Sequence, residues 1–224
     1  MKRALIFDMD GVIVDNDRYH CLSWMEFAKK HGKDVGYDEV KSWFGSTNRT
    51  ILGNLFPDAL SREQVEQMGR EKEELYRRMY AKTIEPLKGL KEFLAGLDGA
   101  FKIGVATSAP TENVDFVLGK TGLKSYFQSV TDESDIRHGK PDPEIFLKAA
   151  GKLGVPPDSC LVFEDSFHGI EAARRAGMYV IGVATTHEAG ALKNTDLVIA
   201  DFSQINAGMI EAIFEGKQKP GNPD

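Results

Sequence analysis

Four apolar residues, Ala4-Leu5-Ile6-Phe7, run straight into Asp8-Met9-Asp10-Gly11. The run has the character of a buried strand. A side chain just past the C-terminal end of a parallel strand lies in the crevice where open α/β sheets bind ligands. Asp8 leaves such a strand first and Asp10 follows, while Gly11 gives the backbone room for a sharp turn. Two carboxylates held close repel each other, so the pair is costly unless a cation or a shared proton relieves it. A divalent metal does so, and a set of oxygen ligands suits Mg²⁺. Alone, D-x-D-G can equally be a polar turn closing a strand, so the partners downstream must decide.

Three more polar clusters follow predicted strands. Thr107 and Ser108 come after Gly104-Val105-Ala106, where hydroxyls and backbone N–H groups could hold phosphoryl oxygens. For Thr107 by itself an ordinary capping hydroxyl is the plain alternative. Lys140 sits in Gly139-Lys140-Pro141-Asp142-Pro143, where two prolines restrict the backbone and fix where the lysine points. It could place a permanent positive charge in the crevice, although a lysine elsewhere would be read as surface. The Gly139-Lys140 pair is not a P-loop, because that motif's upstream glycine and following Ser or Thr are absent. Glu164-Asp165-Ser166 follows Leu161-Val162-Phe163, a second acidic pair leaving an apolar strand, and could complete a metal site. Coincidence is a poor explanation for four such clusters in one alternating chain.

The elements that must position them follow from the pattern. Strands are predicted at Phe101 to Ala106, Phe127 to Thr131, Cys160 to Phe163, Tyr179 to Val183 and Leu197 to Ala200. Helices are predicted from about Thr111 to Thr121, after the Asp142-Pro143 start, and from Gly169 to Ala176. Repeated alternation means an α/β fold: a Rossmann-like, mostly parallel sheet with helices on both faces. Residues 16–85 contain no convincing strand. One helix starts at Asp15-Asn16-Asp17, any of which could cap it, and stops near His31-Gly32. Ser61 with Gln64 makes a capping box for a long helix to about Tyr80. Its Glu71, Lys72, Glu73, Glu74, Arg77 and Arg78 read as a mostly solvated face with i,i+4 pairs. We therefore expect a core of residues 1–15 and 86–224 and a small all-helical domain of residues 16–85 inserted after the first strand. Hinges are expected near Val14 to Asn16 and at Pro86 to Gly89, and Glu215 to Asp224 as a frayed tail.

The totals exclude some classes. The 224 residues are 42% hydrophobic and 28% charged, and 28 Lys and Arg against 34 Asp and Glu give a formal charge of −6. That argues against broad nucleic-acid or anionic-membrane binding, while leaving room for a local basic pocket. No apolar run approaches a membrane span, and the N-terminus lacks a signal-peptide layout. Cys21 and Cys160, without C-x-x-C spacing, read as buried reduced thiols of a cytoplasmic protein.

The set Asp8-x-Asp10-Gly11, Thr107, Lys140-Pro141 and Glu164-Asp165 resembles the four motifs of the haloacid dehalogenase-like superfamily of phosphotransferases, over essentially the whole chain. Within it, Phe7-Asp8-Met9-Asp10-Gly11-Val12, Tyr19-His20, Trp24, Glu164-Asp165-Ser166 and Gly169-Ile170 resemble the β-phosphoglucomutase-like phosphatases, and the insert resembles their helical cap. The resemblance implies that Asp8 is the nucleophile and forms an aspartyl-phosphate, with Asp10 as general acid and then base. It implies Mg²⁺ held by Asp8, the carbonyl of Asp10 and Asp165, with Glu164 as a direct or water-mediated neighbour. Thr107, the Ser108 backbone and Lys140 would hold the transferring phosphoryl group. The second aspartate separates this chain from relatives that cleave carbon–halogen or phosphonate bonds, which lack an acid there.

For the insert the resemblance is divided. Tyr19-His20 resembles the mutase hinge, where the histidine couples cap closure to acid–base work, and Lys72 with Tyr76 falls where mutases carry a cap lysine near the sugar phosphate. In Gly45-Ser46-Thr47-Asn48-Arg49-Thr50, however, Asn48 stands where the mutase has an arginine for the second phosphate, and Arg49 is one place later. On a helix that one place turns a side chain by about 100°. The hinge threonine of the mutase is Asn16 here. By pattern alone His20 is a packing or capping histidine, Lys72 a solvated helix residue, and Trp24, Trp43 and Phe44 belong to the insert's core. The favoured expectation is a phosphatase of a small phosphorylated metabolite, a sugar phosphate, acting as a monomer. A β-phosphoglucomutase-type mutase is the alternative, and a non-catalytic phospho-ligand sensor a third. The sensor is disfavoured because Asp8, Asp10 and Asp165 are all retained.

Overall fold

The computed structural model of the chain describes residues 2–43, 47–57 and 60–216. Backbone proximity divides it into two units, Met1–Asp15 with Glu85–Asp224, and Asn16–Ile84. The first unit holds strands β1 (Arg3–Phe7), β2 (Phe101–Ala106), β3 (Ser129–Thr131), β4 (Cys160–Glu164), β5 (Tyr179–Val183) and β6 (Leu197–Ile199). The second holds helices α1 (Asp17–Lys30), α2 (Tyr37–Lys41), α3 (Asn48–Leu55) and α4 (Arg62–Tyr80). Helices α5 (Leu90–Gly96), α6 (Thr111–Thr121), α7 (Glu144–Leu153), α8 (Phe167–Arg175) and α9 (Ala207–Phe214) return to the first unit.

The six strands pair in the order β3-β2-β1-β4-β5-β6, all parallel. The chain runs outward from β1 through β2 and β3, then crosses to the other side of β1 for β4, β5 and β6. The crossing makes β1/β4 the switch point, where connections diverge and leave a crevice beyond the strand ends. In register, Phe7 lies opposite both Val105 and Phe163, so the residues after β1, β2 and β4 all emerge at one edge.

Alternation along β1 serves two cores. Ala4 and Ile6 pack with Cys160, Val162 and Val180 against Ile145, Phe146 and Ala149 of α7 and Ile170 and Ala173 of α8. On the other face Phe7 stacks on Phe163 at 4.6 Å, beside Phe93 of α5 and Phe202. Helices thus cover both faces. The apolar content of every buried strand is what allows it.

The insert buries Cys21, Trp24, Phe27 and Ala28 of α1, at helical spacing, against Ile51, Leu52 and Leu55 of α3 and Leu75 of α4. Trp24 meets Trp43 edge to face at 6.3 Å, so both belong to this core as expected; Phe44 lies outside the described residues, as do Gly45, Ser46 and the tail from 217. The Ser61–Gln64 capping box starts α4.

Two expectations are corrected. The α4 face is not mostly solvated: Lys72, Glu73 and Tyr76 are buried, and Glu71 turns to Lys30 and His31 of α1. Glu74 and Arg78 are exposed as foreseen, and Arg62–Glu66 is an i,i+4 pair. Asn16 takes the N-cap position of α1 but makes no side-chain cap; its amide donates to Tyr76 Oη at 2.7 Å instead. No helix among the described residues is long and apolar enough to cross a membrane.

Candidate active site

At the edge beyond β1, the Asp8 N–H donates to the Phe163 carbonyl at 3.0 Å, which continues the ladder one residue past the strand. The chain then turns tightly, with the Met9 carbonyl accepting from Ile13 N–H at 2.8 Å. Gly11 has φ +75°, and a Cβ there would collide with the Asp165 carboxylate. Only glycine lets the β1 turn and the β4 turn approach so closely. The Thr185 hydroxyl, just after β5, donates to the Gly11 carbonyl at 2.6 Å and pins the turn from the other side.

Asp8, Glu164 and Asp165 are all buried, and each places a carboxylate oxygen within 4.8 Å of the others. Asp10 is half-buried and near enough for its charge to act on Asp8. Among the described residues, Lys140 is paired with two of these carboxylates, Asp8 and Glu164. The Lys140 ammonium bonds Glu164 Oε1 and lies 3.1 Å from Asp8 Oδ1. The contact to Asp8 is an ion pair, and the buried Asp8 Oδ1 has no hydrogen-bond partner that meets the geometry among the described residues.

Glu164 is spent on structure: besides Lys140 it accepts from the Ser166 N–H at 2.8 Å and hydroxyl at 2.9 Å. It lies over Gly169, where a Cβ would strike its carboxylate. Asp165 accepts from the Thr186 hydroxyl through Oδ2 alone. Burial pushes the Asp8 carboxyl up to about 8, with Lys140 opposing and Glu164 and Asp10 reinforcing the rise. Burial, then the charges of Glu164 and Asp8, raise Asp165 well above the usual carboxylate range. Burial alone would lower Lys140, but the charges of Asp8 and Glu164 outweigh it and raise the amine. Carboxylates outnumber the ammonium, so the cluster must hold a proton or take a cation. A hard divalent ion on Asp8 and Asp165 fits both that excess charge and the unsatisfied Asp8 oxygen.

Thr107 is buried beyond β2; its Oγ accepts from the Ala109 N–H at 3.1 Å, which leaves its own O–H to donate. Ser108 is exposed beside it. The sequence reading missed Thr185 and Thr186, although two hydroxyls past β5 repeat the signal of Thr107-Ser108 past β2.

The insert has its own polar centre. His20 stacks on Tyr76 at 4.1 Å, and the Lys72 ammonium is 2.9 Å from His20 Nδ1. Lys72 also donates to Glu73 Oε1 at 2.9 Å, as does Asn48 Nδ2 at 2.9 Å. Asn48, not Arg49, is the α3 residue that joins this centre; Arg49 is exposed. Glu73 was not foreseen as a site residue.

The profile of the family described as haloacid dehalogenase-like hydrolase matches residues 5–183. The fructose-1-phosphate phosphatase YqaB of Escherichia coli is 33% identical over 80% of this chain and 95% of that protein. The β-phosphoglucomutase of Bacillus subtilis is 28% identical over 95% of this chain and 96% of its own length. The crystal structure of a haloacid dehalogenase hydrolase of family IA, variant 3, from Entamoeba histolytica superposes with a TM-score of 0.89 at 31% identity, covering 96% of this chain and all of that one.

Proposed function

The chain belongs to the haloacid dehalogenase-like hydrolases, and from that premise we propose a divalent-metal-dependent phosphatase of a small phosphorylated metabolite, a sugar phosphate. The observation that carries the reading is the buried Asp8 carboxylate, held at the switch point of the sheet 3.1 Å from the Lys140 ammonium.

Asp8 attacks phosphorus, the bond from phosphorus to the sugar oxygen breaks, and Asp10 gives that oxygen its proton. Asp10 then takes a proton from water as the water attacks the aspartyl-phosphate, releasing inorganic phosphate and restoring Asp8. Lys140, the Thr107 hydroxyl and the Ser108 N–H hold the phosphoryl oxygens through both steps. Mg²⁺ on Asp8, the Asp10 carbonyl and Asp165, with Glu164 as neighbour, would offset the repulsion between carboxylate and phosphate. Glu164 contributes mainly by anchoring Lys140. Thr186 orients Asp165, and the insert acts as a cap that selects the alcohol half of the substrate, with His20 and Lys72 its candidate contacts.

Two buried, unpaired cysteines, Cys21 and Cys160, fit a reducing compartment such as the cytoplasm, and burial pushes the Cys160 thiol up to about 12. We take the enzyme to act as a monomer. The test is a phosphate-release screen with Mg²⁺ over sugar phosphates, nucleotides and pyrophosphate. Alongside it, β-glucose 1-phosphate with a trace of the 1,6-bisphosphate is followed for glucose 6-phosphate. Free phosphate from sugar phosphates supports the phosphatase; isomerised sugar with little free phosphate makes it a mutase.

A further inference from the structure

Gly11 lets the turn after β1 approach Asp165, but the freedom that permits this also leaves the turn soft. Asp10 is the residue just before it, so whatever fixes the dihedrals of Gly11 also fixes the backbone that carries Asp10. One side of Gly11 is held within the turn: its N–H donates to the Val14 carbonyl at 2.8 Å, and Asp10 bridges to Val14. The other side is held from outside. The Gly11 carbonyl accepts from the Thr185 hydroxyl at 2.6 Å, across 174 positions of sequence.

Thr185 is itself firmly set. The Ala184 N–H donates to the Ile199 carbonyl of β6 at 2.8 Å, and the Thr185 N–H to the Val183 carbonyl of β5 at 3.0 Å. Two residues on, the His187 ring stacks on Phe167, the first residue of α8, at 4.1 Å. Between these anchors two neighbouring hydroxyls part, Thr185 to the Gly11 carbonyl and Thr186 to the Asp165 carboxylate. Residues 185–187 therefore touch the turn after β1, the acid after β4 and the start of α8, all within the first unit. Threonine suits such a tie, because its branched Cβ restricts χ1 and aims the hydroxyl. Serine could make the same bond from a looser rotamer, and valine has the shape without the donor. A proton donor works only within hydrogen-bond reach of the oxygen it protonates, so a small shift of the turn is felt in the rate.

We propose that Thr185 is a positioning residue for Asp10: by holding the Gly11 carbonyl it keeps the turn in the conformation from which Asp10 protonates the leaving oxygen. The inference rests on the reading above that Asp10 is the general acid, and Thr185 acts through Gly11 rather than on the substrate.

The experiment measures kcat/KM at saturating Mg²⁺ for phenyl phosphate and p-nitrophenyl phosphate, esters of similar shape whose leaving oxygens differ in acidity. The ratio of phenyl to p-nitrophenyl isolates the acid, because a loss in metal binding, phosphate binding or nucleophile cancels. Asp10→Ala should lower that ratio about twentyfold and Thr185→Val about fivefold. In the Asp10→Ala background Thr185→Val should lower it no further, since a residue acting through another adds nothing once that one is gone. Thr185→Ser should keep most of the wild-type ratio. If Thr185→Val fails to fold by circular dichroism, Thr185→Ala, read the same way, decides. A purely structural role would lower both esters alike; that result, or a further drop in the double variant, overturns this inference while Asp10→Ala still discriminates. A wild-type ratio in Asp10→Ala removes the acid, and this inference with it. Wild-type enzyme that hydrolyses neither ester contradicts the phosphatase itself.

Discussion

The two polar centres of this protein differ in charge balance. Beyond β1, the buried carboxylates of Asp8, Glu164 and Asp165 lie together, Lys140 pairs with Asp8 and Glu164, and among these four groups negative charge is left over. In the insert, the Lys72 ammonium bonds the Glu73 carboxylate, with His20 and Asn48 also bonded to the pair. Folding normally removes an imbalance of the first kind, because buried charge without compensation is expensive. Where it persists, the missing charge belongs to something that binds. On the proposed function, the core edge reacts and the insert discriminates.

The largest test of that division is Asp8→Asn, which should lower kcat by about ten-thousandfold or more in a steady-state assay while the protein remains folded by circular dichroism. A modest loss would mean that the unbalanced centre is not the reactive one. Asp10→Ala should cost about a hundredfold or more with a sugar phosphate, whose alkoxide needs a proton, and much less with p-nitrophenyl phosphate. Equal losses for the two leaving groups would remove the acid role. Thr186→Val should weaken Mg²⁺ binding about tenfold, read by titration calorimetry, with kcat at saturating metal nearly retained.

A smaller effect follows from protons. Burial pushes the Asp8 carboxyl up to about 8 from the ordinary 3.8, so metal-free protein should hold that proton at neutral pH. Between those values the native state binds more protons than the unfolded chain, so stability falls as pH rises through that window and levels above it. The thermal midpoint should decline from pH 5 to pH 8 without metal; added Mg²⁺ should flatten the decline, and Asp8→Asn should only lessen it, because burial also raises Asp165.

The core edge was legible from sequence because its reactive groups follow strands, and β1 and β2 end in the apolar runs of residues 4–7 and 103–106. Parallel strands of one sheet must bring their C-terminal ends together, so Asp8, Thr107 and Asp165 converge without knowledge of any contact. Short elements were less clear: the strand expected from Phe127 begins at Ser129, and α5 and α9 were not read because neither is set off by an apolar period long enough to notice. The insert's centre was illegible for another reason. Lys72 and Glu73 lie in a charged run that looks solvated, and only the packing of α1 and α3 on α4 turns them inward. Periodicity reports which face is apolar; it cannot report that a buried face carries a matched pair of charges.

The most direct measurement is to quench the enzyme during turnover of a sugar phosphate, reduce with borohydride and sequence the peptides by mass spectrometry. An acyl phosphate on Asp8 would be recovered as homoserine at that position, and at no other carboxylate. Turnover with Asp8 recovered unchanged, or with the reduced residue at Asp10 or Asp165, would contradict the account at its centre.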